Sequence, residues 1–471
     1  MVTADTSPRV IQGGMGVGVS SWKLARAVSM RGQLGVVSGT ALDSLLVRRL
    51  QDGDPGGHLR RAMQAFPIPG VADGALHRYF HPDGRAPNQP YKLLPMYKQA
   101  VSVPRQQLTM LANFVEVRLA KEGHDGVVGI NLLTKVQLPN LASLCGAMLA
   151  GVDYVLMGAG IPREIPGALD ALAEHRPAKI KFDVEGLAAG ETPYLEFDPV
   201  AHGVDRSTRL ARPRFIAIIA SNSLATTLAR KANGRVDGFV VEAPTAGGHN
   251  APPRGEMKLT DGGEPIYGER DEVDLAKMRE LGVPFWLAGG TGSPMHVRRA
   301  LGEGAAGVQV GTLFAYCDES GFADEIKRDV LTHVVRGDLT VMTDPRASPT
   351  GYPFKVVHWA GDQLGRLPRE RLCDLGYLRS PYRREDGRTG YRCPAEPVGD
   401  YVRKGGAVSD TVDRLCICNG LVAAIGQPQL TGDHCEEPPL ITSGDDLTDI
   451  RTFLGARTRY TASDVLEYLL A

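Results

Sequence analysis

The chain has 471 residues, of which 43% are hydrophobic and 23% charged, an ordinary balance for a globular protein. The formal net charge of −1 gives no electrostatic case for a nucleic acid or an anionic membrane as partner. No apolar run approaches the length of a membrane span, and the first residues lack the basic and apolar stretches of a signal peptide. Seven cysteines, an odd number, favour reduced thiols. We therefore expect a cytoplasmic protein without membrane or nucleic-acid partners.

Short apolar runs alternate with longer amphipathic stretches over most of the first 312 residues, which is typical of a parallel sheet. The predicted strands are residues 10–12, 34–37, 127–131, 153–157, 215–220, 238–241, 285–288 and 307–310. Eight parallel strands separated by helices predict an α/β fold of the (β/α)₈ TIM barrel type.

Two insertions and one extension interrupt this pattern. Residues 53–125 are rich in Pro, Tyr, Arg and Gly and end in a long predicted helix, Arg105–Glu122, so we expect an inserted helical segment. Residues 178–211 alternate with period two, which predicts an inserted β-hairpin facing solvent. We therefore predict a barrel at 1–330 and a C-terminal extension or cap at 331–471, without catalytic chemistry of its own.

Glycines and polar residues follow the ends of the predicted strands, where the active site of such a barrel lies. A phosphate bound by backbone N–H groups needs glycine, because a side chain would block its close approach. The loops after the seventh and eighth strands are the usual phosphate site of these barrels. In this chain those loops contain Gly289, Gly290, Gly311 and Thr312, which we predict as phosphate-binding residues.

The most specific stretch is Glu-Ala-Pro-Thr-Ala-Gly-Gly-His-Asn at 242–250, which begins where a predicted strand ends. Histidine is the commonest proton donor or acceptor near neutral pH. Gly247 and Gly248 let the loop bend close to a flat ring. We predict His249 as a catalytic acid–base residue, with a structural loop histidine as the alternative.

Together these motifs resemble the nitronate monooxygenase family, formerly called 2-nitropropane dioxygenases, over about residues 8–320. The resemblance is carried by Ile-Gln-Gly-Gly-Met, Gly-Ile-Asn, Gly-Ile-Pro, Ala-Gly-Gly-His, Ala-Gly-Gly and Gly-Val-Gln-Val-Gly-Thr. It implies an FMN-dependent oxidoreductase with the flavin at the strand ends and His249 as the acid–base residue. The cofactor-binding residues that it implies are Gly13, Gly14, Met15, Thr40, Asn131, Gly158, Glu242, Gly247, Gly248, Gly289, Gly290, Gly311 and Thr312.

Other features resemble the trans-acting flavin enoyl reductases of polyunsaturated fatty acid and polyketide synthases. These features are Glu242-Ala243, the hairpin at 178–211, and Cys317-Asp-Glu-Ser-Gly321 after the last predicted strand. Nitronate monooxygenases usually have Gln-Gly in place of Glu242-Ala243 and Glu in place of Thr245. The resemblance therefore predicts the fold and the cofactor and leaves the substrate open.

Three hypotheses of function follow from this resemblance. The first is oxidation of alkyl nitronates or nitroalkanes by O₂, in which His249 deprotonates the carbon that bears the nitro group or stabilises the anion. The second is NAD(P)H-dependent reduction of an enoyl thioester, such as an enoyl-ACP, in which His249 protonates the α carbon. The third is a non-catalytic flavin-binding protein. We expect a small-molecule substrate, with O₂ or NAD(P)H as co-substrate, and leave a homodimer open.

Cysteines in the C-terminal part are candidate ligands for a structural metal. They are Cys373, Cys393, Cys416 and Cys418, together with His434-Cys435. Zinc sites usually contain a Cys-x-x-Cys pair, and these residues do not supply one. We therefore expect buried or free thiols and no metal.

Overall fold

A computed structural model describes residues 7–359, 370–430 and 436–471. In chain order the strands are β1 (Val10–Gln12), β2 (Gly35–Ser38), β3 (Val128–Leu133), β4 (Tyr154–Gly158), β5 (Ala178–Lys181), β6 (Tyr194–Phe197), β7 (Arg214–Ile219), β8 (Gly238–Glu242), β9 (Phe285–Ala288), β10 (Gly307–Val310), β11 (Leu339–Asp344), β12 (Phe354–Trp359), β13 (Ser380–Arg383) and β14 (Thr389–Arg392). The helices are α1 (Trp22–Ser29), α2 (Leu42–Gln51), α3 (His58–Met63), α4 (Val71–Tyr79), α5 (Val103–Ala120), α6 (Asn140–Leu149), α7 (Ile165–Ala173), α8 (Asn222–Lys231), α9 (Leu275–Glu280), α10 (Pro294–Gly302), α11 (Thr312–Ala315), α12 (Asp324–Arg336), α13 (Val398–Arg403), α14 (Ile417–Ala423), α15 (Ile450–Leu454) and α16 (Ala462–Leu469).

Eight strands form one parallel sheet in the order β1-β10-β9-β8-β7-β4-β3-β2. The two ends of this sheet meet beside Leu34, just before β2. The Gln12 amide donates to the Leu34 carbonyl at 2.9 Å, and the Leu34 amide donates to the Val10 carbonyl at 3.1 Å. The predicted (β/α)₈ barrel is confirmed, and each predicted barrel strand is present with its ends within two residues of the predicted ones.

The barrel interior is packed with apolar side chains. Successive side chains of a strand point to opposite faces, so every second residue can face inward. The interior cluster contains Ile11, Leu34, Val36, Tyr154, Leu156, Ile216, Val240, Trp286 and Ala288. A larger cluster joins the outer faces of the strands to the helices. This two-layer burial holds the strand ends rigidly, and the carboxyl ends all open on the same side.

Both predicted insertions are present. The long helix predicted at Arg105–Glu122 is α5, which packs against α6, α2 and α1. The predicted hairpin is the antiparallel pair of β5 and β6, with Ala178 opposite Phe197. Apolar and polar residues alternate along β5 because its side chains alternate between a buried and an exposed face: Ile180 is buried and the neighbouring Lys179 is exposed.

The C-terminal part is packed onto the barrel. It contains two antiparallel hairpins, β11–β12 and β13–β14, and α16 packs against α1 and α10. Its residues Val422, Leu440 and Leu447 belong to the same hydrophobic cluster as the outer faces of the barrel strands. Helix α12 runs across residue 330, where the sequence predicts the boundary between barrel and extension, and that boundary stays a prediction.

Within the described ranges no helix is both long enough and apolar enough to span a bilayer.

Candidate active site

A large cavity opens at the carboxyl ends of the barrel strands, and every site residue predicted from the sequence lies on its wall. These residues are Gly13, Gly14, Met15, Thr40, Asn131, Gly158, Glu242, Gly247, Gly248, His249, Gly289, Gly290, Gly311 and Thr312. They come from loops far apart in the chain, and the parallel sheet brings them to one edge. The individual roles predicted for them remain proposals.

Glycine is required where backbone segments approach each other at this edge. A Cβ on Gly14 would stand only 2.2 Å from the Cβ of Asn131, so the loop after β1 lies directly against β3. Gly289 and Gly290 have φ values of +92° and +66°, a backbone conformation that other residues rarely adopt. A Cβ on Gly289 would also meet the Thr245 hydroxyl at 2.8 Å. These turns therefore bring the backbone to the cavity wall without side chains in the way, as a site that binds a phosphate through backbone N–H groups needs.

One polar atom on the wall fits a flavin ring. The Oε1 atom of Gln309 is buried and has no hydrogen-bond partner among the described residues. Such an orphaned acceptor is costly unless a ligand supplies a donor, and a ring N–H of a flavin is such a donor. Together with the glycine turns, this acceptor makes the residues present suitable for a flavin.

The C-terminal part reaches the end of the cavity that contains Thr312. The Thr312 hydroxyl donates to Oδ1 of Asp446 at 2.5 Å and accepts from the Gly444 amide at 3.3 Å. Burial raises the pKa of Asp446 above its ordinary value. Sequence reasoning missed Asp446, although Ser-Gly-Asp-Asp at 443–446 directly follows an apolar run and was a detectable turn signal. A carboxyl group therefore shares the predicted phosphate site.

His249 is held in place from two sides. Its Nε2 atom lies 2.7 Å from the Ser348 hydroxyl, and Phe354 packs edge-on against the ring with centroids 4.8 Å apart. Burial, and then the charge of Lys135, lower the pKa of His249 to about 3. The imidazole is therefore neutral at physiological pH and can donate or accept a hydrogen bond without carrying a charge.

Lys135, which follows β3, is a second titratable group beside His249 that the sequence did not reveal. Its Nζ atom is buried, lies over the ring of Tyr352 and has no hydrogen-bond partner within the described ranges. Burial lowers the pKa of Lys135 to about 7. A lysine with this pKa can supply either a positive charge or a proton near neutral pH.

Glu242, at the end of β8, lines the same cavity. Burial raises the pKa of Glu242 to about 7, so a substantial fraction of this carboxyl group is protonated at neutral pH. A protonated carboxyl can donate a hydrogen bond to a ligand, which an ordinary glutamate cannot do.

One side of the cavity is apolar and comes from the C-terminal part. Its apolar side chains include Phe354, Leu378, Ile417 and Leu421. Sequence reasoning assigned this region to a cap without naming these residues, since they have no regular spacing. Apolar side chains on the cavity wall exclude water and offer contact to an alkyl or acyl chain.

Comparison with known proteins adds one family match. The model of the family described as Nitronate monooxygenase matches residues 198–349. No curated protein matches the chain.

Several solved structures resemble the chain at low identity. FabK from Thermotoga maritima has a TM-score of 0.45 and 16% identity, covering 99% of this chain and 92% of that one. Nitroalkane oxidase from Streptomyces ansochromogenes has a TM-score of 0.48 and 16% identity, covering 99% and 95%. The enoyl reductase domain of MlnA from the macrolactin biosynthesis cluster of Bacillus amyloliquefaciens has a TM-score of 0.48 and 11% identity, covering 98% and 93%.

The matched segment contains the loop that bears His249 and both glycine turns, at 289–290 and 311–312. It confirms, for that part of the chain, the resemblance predicted from the motifs. The chain is an enzyme, a flavin-dependent oxidoreductase that resembles the nitronate monooxygenases over residues 198–349.

Proposed function

We propose that this enzyme is an FMN-dependent nitronate monooxygenase, which oxidises alkyl nitronates or nitroalkanes with O₂. The observation that carries the proposal is the half-buried pair of Lys135 and His249 beside the cavity, with His249 inside the matched segment. A nitronate is a small anion. A buried ammonium group behind a neutral imidazole favours binding of such an anion in surroundings of low polarity.

FMN is the proposed form of the flavin, because the backbone N–H groups near Gly289, Gly290 and Gly311 suit a phosphate. When bound, FMN supplies the electron acceptor for oxidation of the substrate carbon. The protein's own part is to bind the substrate, orient it and exclude water.

His249 is the proposed partner of the substrate nitro group. The Ser348 hydroxyl and the ring of Phe354 fix the imidazole plane, so an N–H can point at a nitro oxygen. With a pKa of about 3, His249 is a weak base in the resting enzyme. We therefore expect pre-formed nitronates, which need no deprotonation, to be better substrates than neutral nitroalkanes.

The proposal is tested by oxygen consumption of the FMN-loaded enzyme with short alkyl nitronates. We expect turnover with propyl-2-nitronate and a loss of about 100-fold or more in the His249→Ala variant, the size of a lost general acid–base or oxyanion group. Absence of oxygen uptake with any short alkyl nitronate contradicts the proposal.

A second candidate function is reduction of an enoyl thioester by NAD(P)H. The observations that favour it are the apolar side chains of Ile417 and Leu421 on the cavity wall, which fit an acyl chain, and Lys135 beside His249, which can supply a proton near pH 7. Anaerobic bleaching of the bound flavin by NADPH or NADH would support it. If neither nicotinamide bleaches the flavin but a nitronate does, the result supports nitronate oxidation and contradicts enoyl reduction.

The cellular location of the enzyme and the type of its substrate are proposed from its composition. A net charge of −1, and the absence of disulfides among the cysteines of the described ranges, support a cytoplasmic enzyme that acts on a small molecule. A homodimer stays open, and size-exclusion chromatography with light scattering would decide it.

A further inference from the structure

Four cysteines from three separate segments of the chain line one small cavity in the C-terminal part. Cys373 precedes β13, Cys393 follows β14, and Cys416 and Cys418 lie at the start of α14. None of the four is in a disulfide. Three separate segments of the chain thus bring their thiols to one place, which no single spacing in the sequence could indicate.

The thiols are close enough to influence one another. Burial, and then nearby Cys416, Cys393 and Cys373, raise the pKa of Cys418 well above its ordinary value. Cys393 is affected in the same direction by burial first and then by Cys373. Four thiols around one cavity, that of Cys393 buried and the others half-buried, form a set of soft ligands without a counter-charge of their own.

The surroundings of the sulfur atoms also suit thiolates. The amide of Ala395 donates a hydrogen bond to the sulfur of Cys393, and the amide of Leu378 donates to the sulfur of Cys418. Backbone N–H groups that point at sulfur are the outer-shell contacts that orient metal-binding thiolates.

The carboxylates on the same cavity have other partners. Asp374 accepts from the Asn419 amide at 2.6 Å, and Glu396 accepts from Nζ of Lys404 at 2.7 Å. The guanidinium of Arg379 also lines the cavity and lowers the pKa of Cys373, against the larger raising effect of burial. Positive charge is thus available to balance an anionic tetrathiolate centre.

From this convergence we propose that Cys373, Cys393, Cys416 and Cys418 bind one structural Zn²⁺ ion. Thiolates select soft or borderline metals, and four cysteines in tetrahedral arrangement are a standard structural zinc set. Each thiol that binds releases its proton to solvent, so four protons leave when one Zn²⁺ enters.

Zinc binding requires the thiols to turn toward one another. As they stand, the described His, Cys, Asp and Glu side chains contain no group of three arranged to hold a metal. The Cys416 thiol points to the Leu372 carbonyl, 3.8 Å away, so it is one of the groups that must rotate. The expectation from sequence, that these cysteines bind no metal, rested on the missing Cys-x-x-Cys pair, and Cys435 lies outside the described residues.

The proposed ion would fasten the β13–β14 hairpin to the start of α14. That helix carries Ile417 and Leu421 to the wall of the flavin cavity. The ion would therefore stabilise one side of the active site although it takes no part in the chemistry. This role is independent of whether the substrate is a nitronate or an enoyl thioester.

The test is the metal content of the full-length, flavin-loaded enzyme purified without added metal. We expect about one zinc per chain by plasma mass spectrometry, and loss of that zinc in Cys373→Ser and Cys393→Ser. The matched control is Cys145→Ser, because Cys145 is buried on α6 and does not line this cavity, so its replacement should leave zinc content unchanged.

Wild-type enzyme supplies a second readout should the serine variants fail to fold. After exchange of the metal for Co²⁺, we expect the intense visible absorption of a tetrahedral cobalt–thiolate centre. Chelation should make four additional thiols reactive to a thiol reagent. Substoichiometric metal, iron with acid-labile sulfide, or a disulfide among the four by mass spectrometry would each overturn the proposal.

Discussion

Lys135 and His249 are two bases whose charged forms are both disfavoured by burial. The pKa of His249 falls to about 3 and that of Lys135 to about 7, so the lysine carries the charge of the pair in the neutral range. As pH rises through about 7, Lys135 loses its proton and the site loses its cation. Below that pH the ammonium is present, and the imidazole remains neutral down to about pH 3.

We expect kcat/KM for a pre-formed nitronate to fall as pH rises through about 7 in the wild type. Lys135→Met should lower kcat/KM about tenfold at pH 6, equivalent to about 1.4 kcal/mol, and remove this pH dependence. Steady-state oxygen uptake between pH 5.5 and 9 measures both effects. Lys179→Met, on the exposed face of β5, is the control and should retain the wild-type profile. A wild-type profile in Lys135→Met would contradict the assigned role.

Asp446 places a carboxyl group where the phosphate of FMN is expected. We expect Asp446→Asn to bind FMN about tenfold more tightly, because an ionised carboxylate repels the phosphate. Riboflavin, which has no phosphate, should bind equally to both proteins. Since burial raises the pKa of Asp446, falling pH should neutralise it and strengthen FMN binding in the wild type only. Fluorescence titration of the apoprotein measures these affinities, and weaker FMN binding in Asp446→Asn would show that the carboxyl holds the cofactor instead.

At the scale of elements, helix α14 contacts the flavin cavity with some of its residues and the rest of the C-terminal part with others. Ile417 and Leu421 are one helical turn apart and line the flavin cavity. Asn419, which is buried, ties the helix to Asp374 by a hydrogen bond. The helix therefore carries an apolar patch into the active site while its other contacts hold it to the C-terminal part.

We expect Leu421→Ala to change the preference for substrate chain length. Removal of the side chain takes away contact with the outer carbons of a long alkyl chain, at about 0.8 kcal/mol, or roughly fourfold, per methylene no longer buried. The ratio of kcat/KM for a hexyl nitronate to that for an ethyl nitronate should fall accordingly. Val422→Ala is the matched control, because Val422 is also buried on the same helix and does not line the cavity. An equal change of this ratio in both variants would contradict the proposed role of Leu421 in binding the alkyl chain.

At the scale of the whole molecule, the C-terminal part and the barrel share one core and one buried polar network. Asp43 of α2 accepts hydrogen bonds from Arg105 at 2.7 Å and from Thr109 at 2.8 Å, both on α5. It also accepts one from Tyr377 of the C-terminal part. Burial opposes ionisation of Asp43, but Arg105 and these hydrogen bonds hold its pKa below the ordinary value. The network therefore joins three distant segments through one charged group.

We expect the barrel and the C-terminal part to unfold together. Calorimetry should show one transition that coincides with the loss of bound flavin. Tyr377→Phe should lower the free energy of unfolding by about 1–3 kcal/mol, because Oδ1 of the buried Asp43 loses one of its two donors and keeps only the Ser44 amide. Tyr194→Phe, on the exposed face of β6, should change it little. Two well-separated transitions would mean that the two parts are energetically independent.

The barrel and the glycine turns could be predicted because their signals are local. Buried parallel strands are short apolar runs, and residues at their ends necessarily meet at one edge. Lys135 could not be identified, because a lysine after a strand is usually exposed and its burial depends on Tyr352, more than two hundred residues later. The same holds for Asp446, whose position at Thr312 depends on how the C-terminal part packs.

The contribution of residues 442–446 to the cavity wall also has a consequence for biosynthesis. On a ribosome, the last barrel strand emerges well before this segment, and at about 5–20 residues per second the delay is on the order of ten seconds. During that interval a nascent barrel presents glycine-rich turns that the C-terminal part does not yet cover. Flavin incorporated during translation would enter a half-open cavity, and the late segment would then close over it.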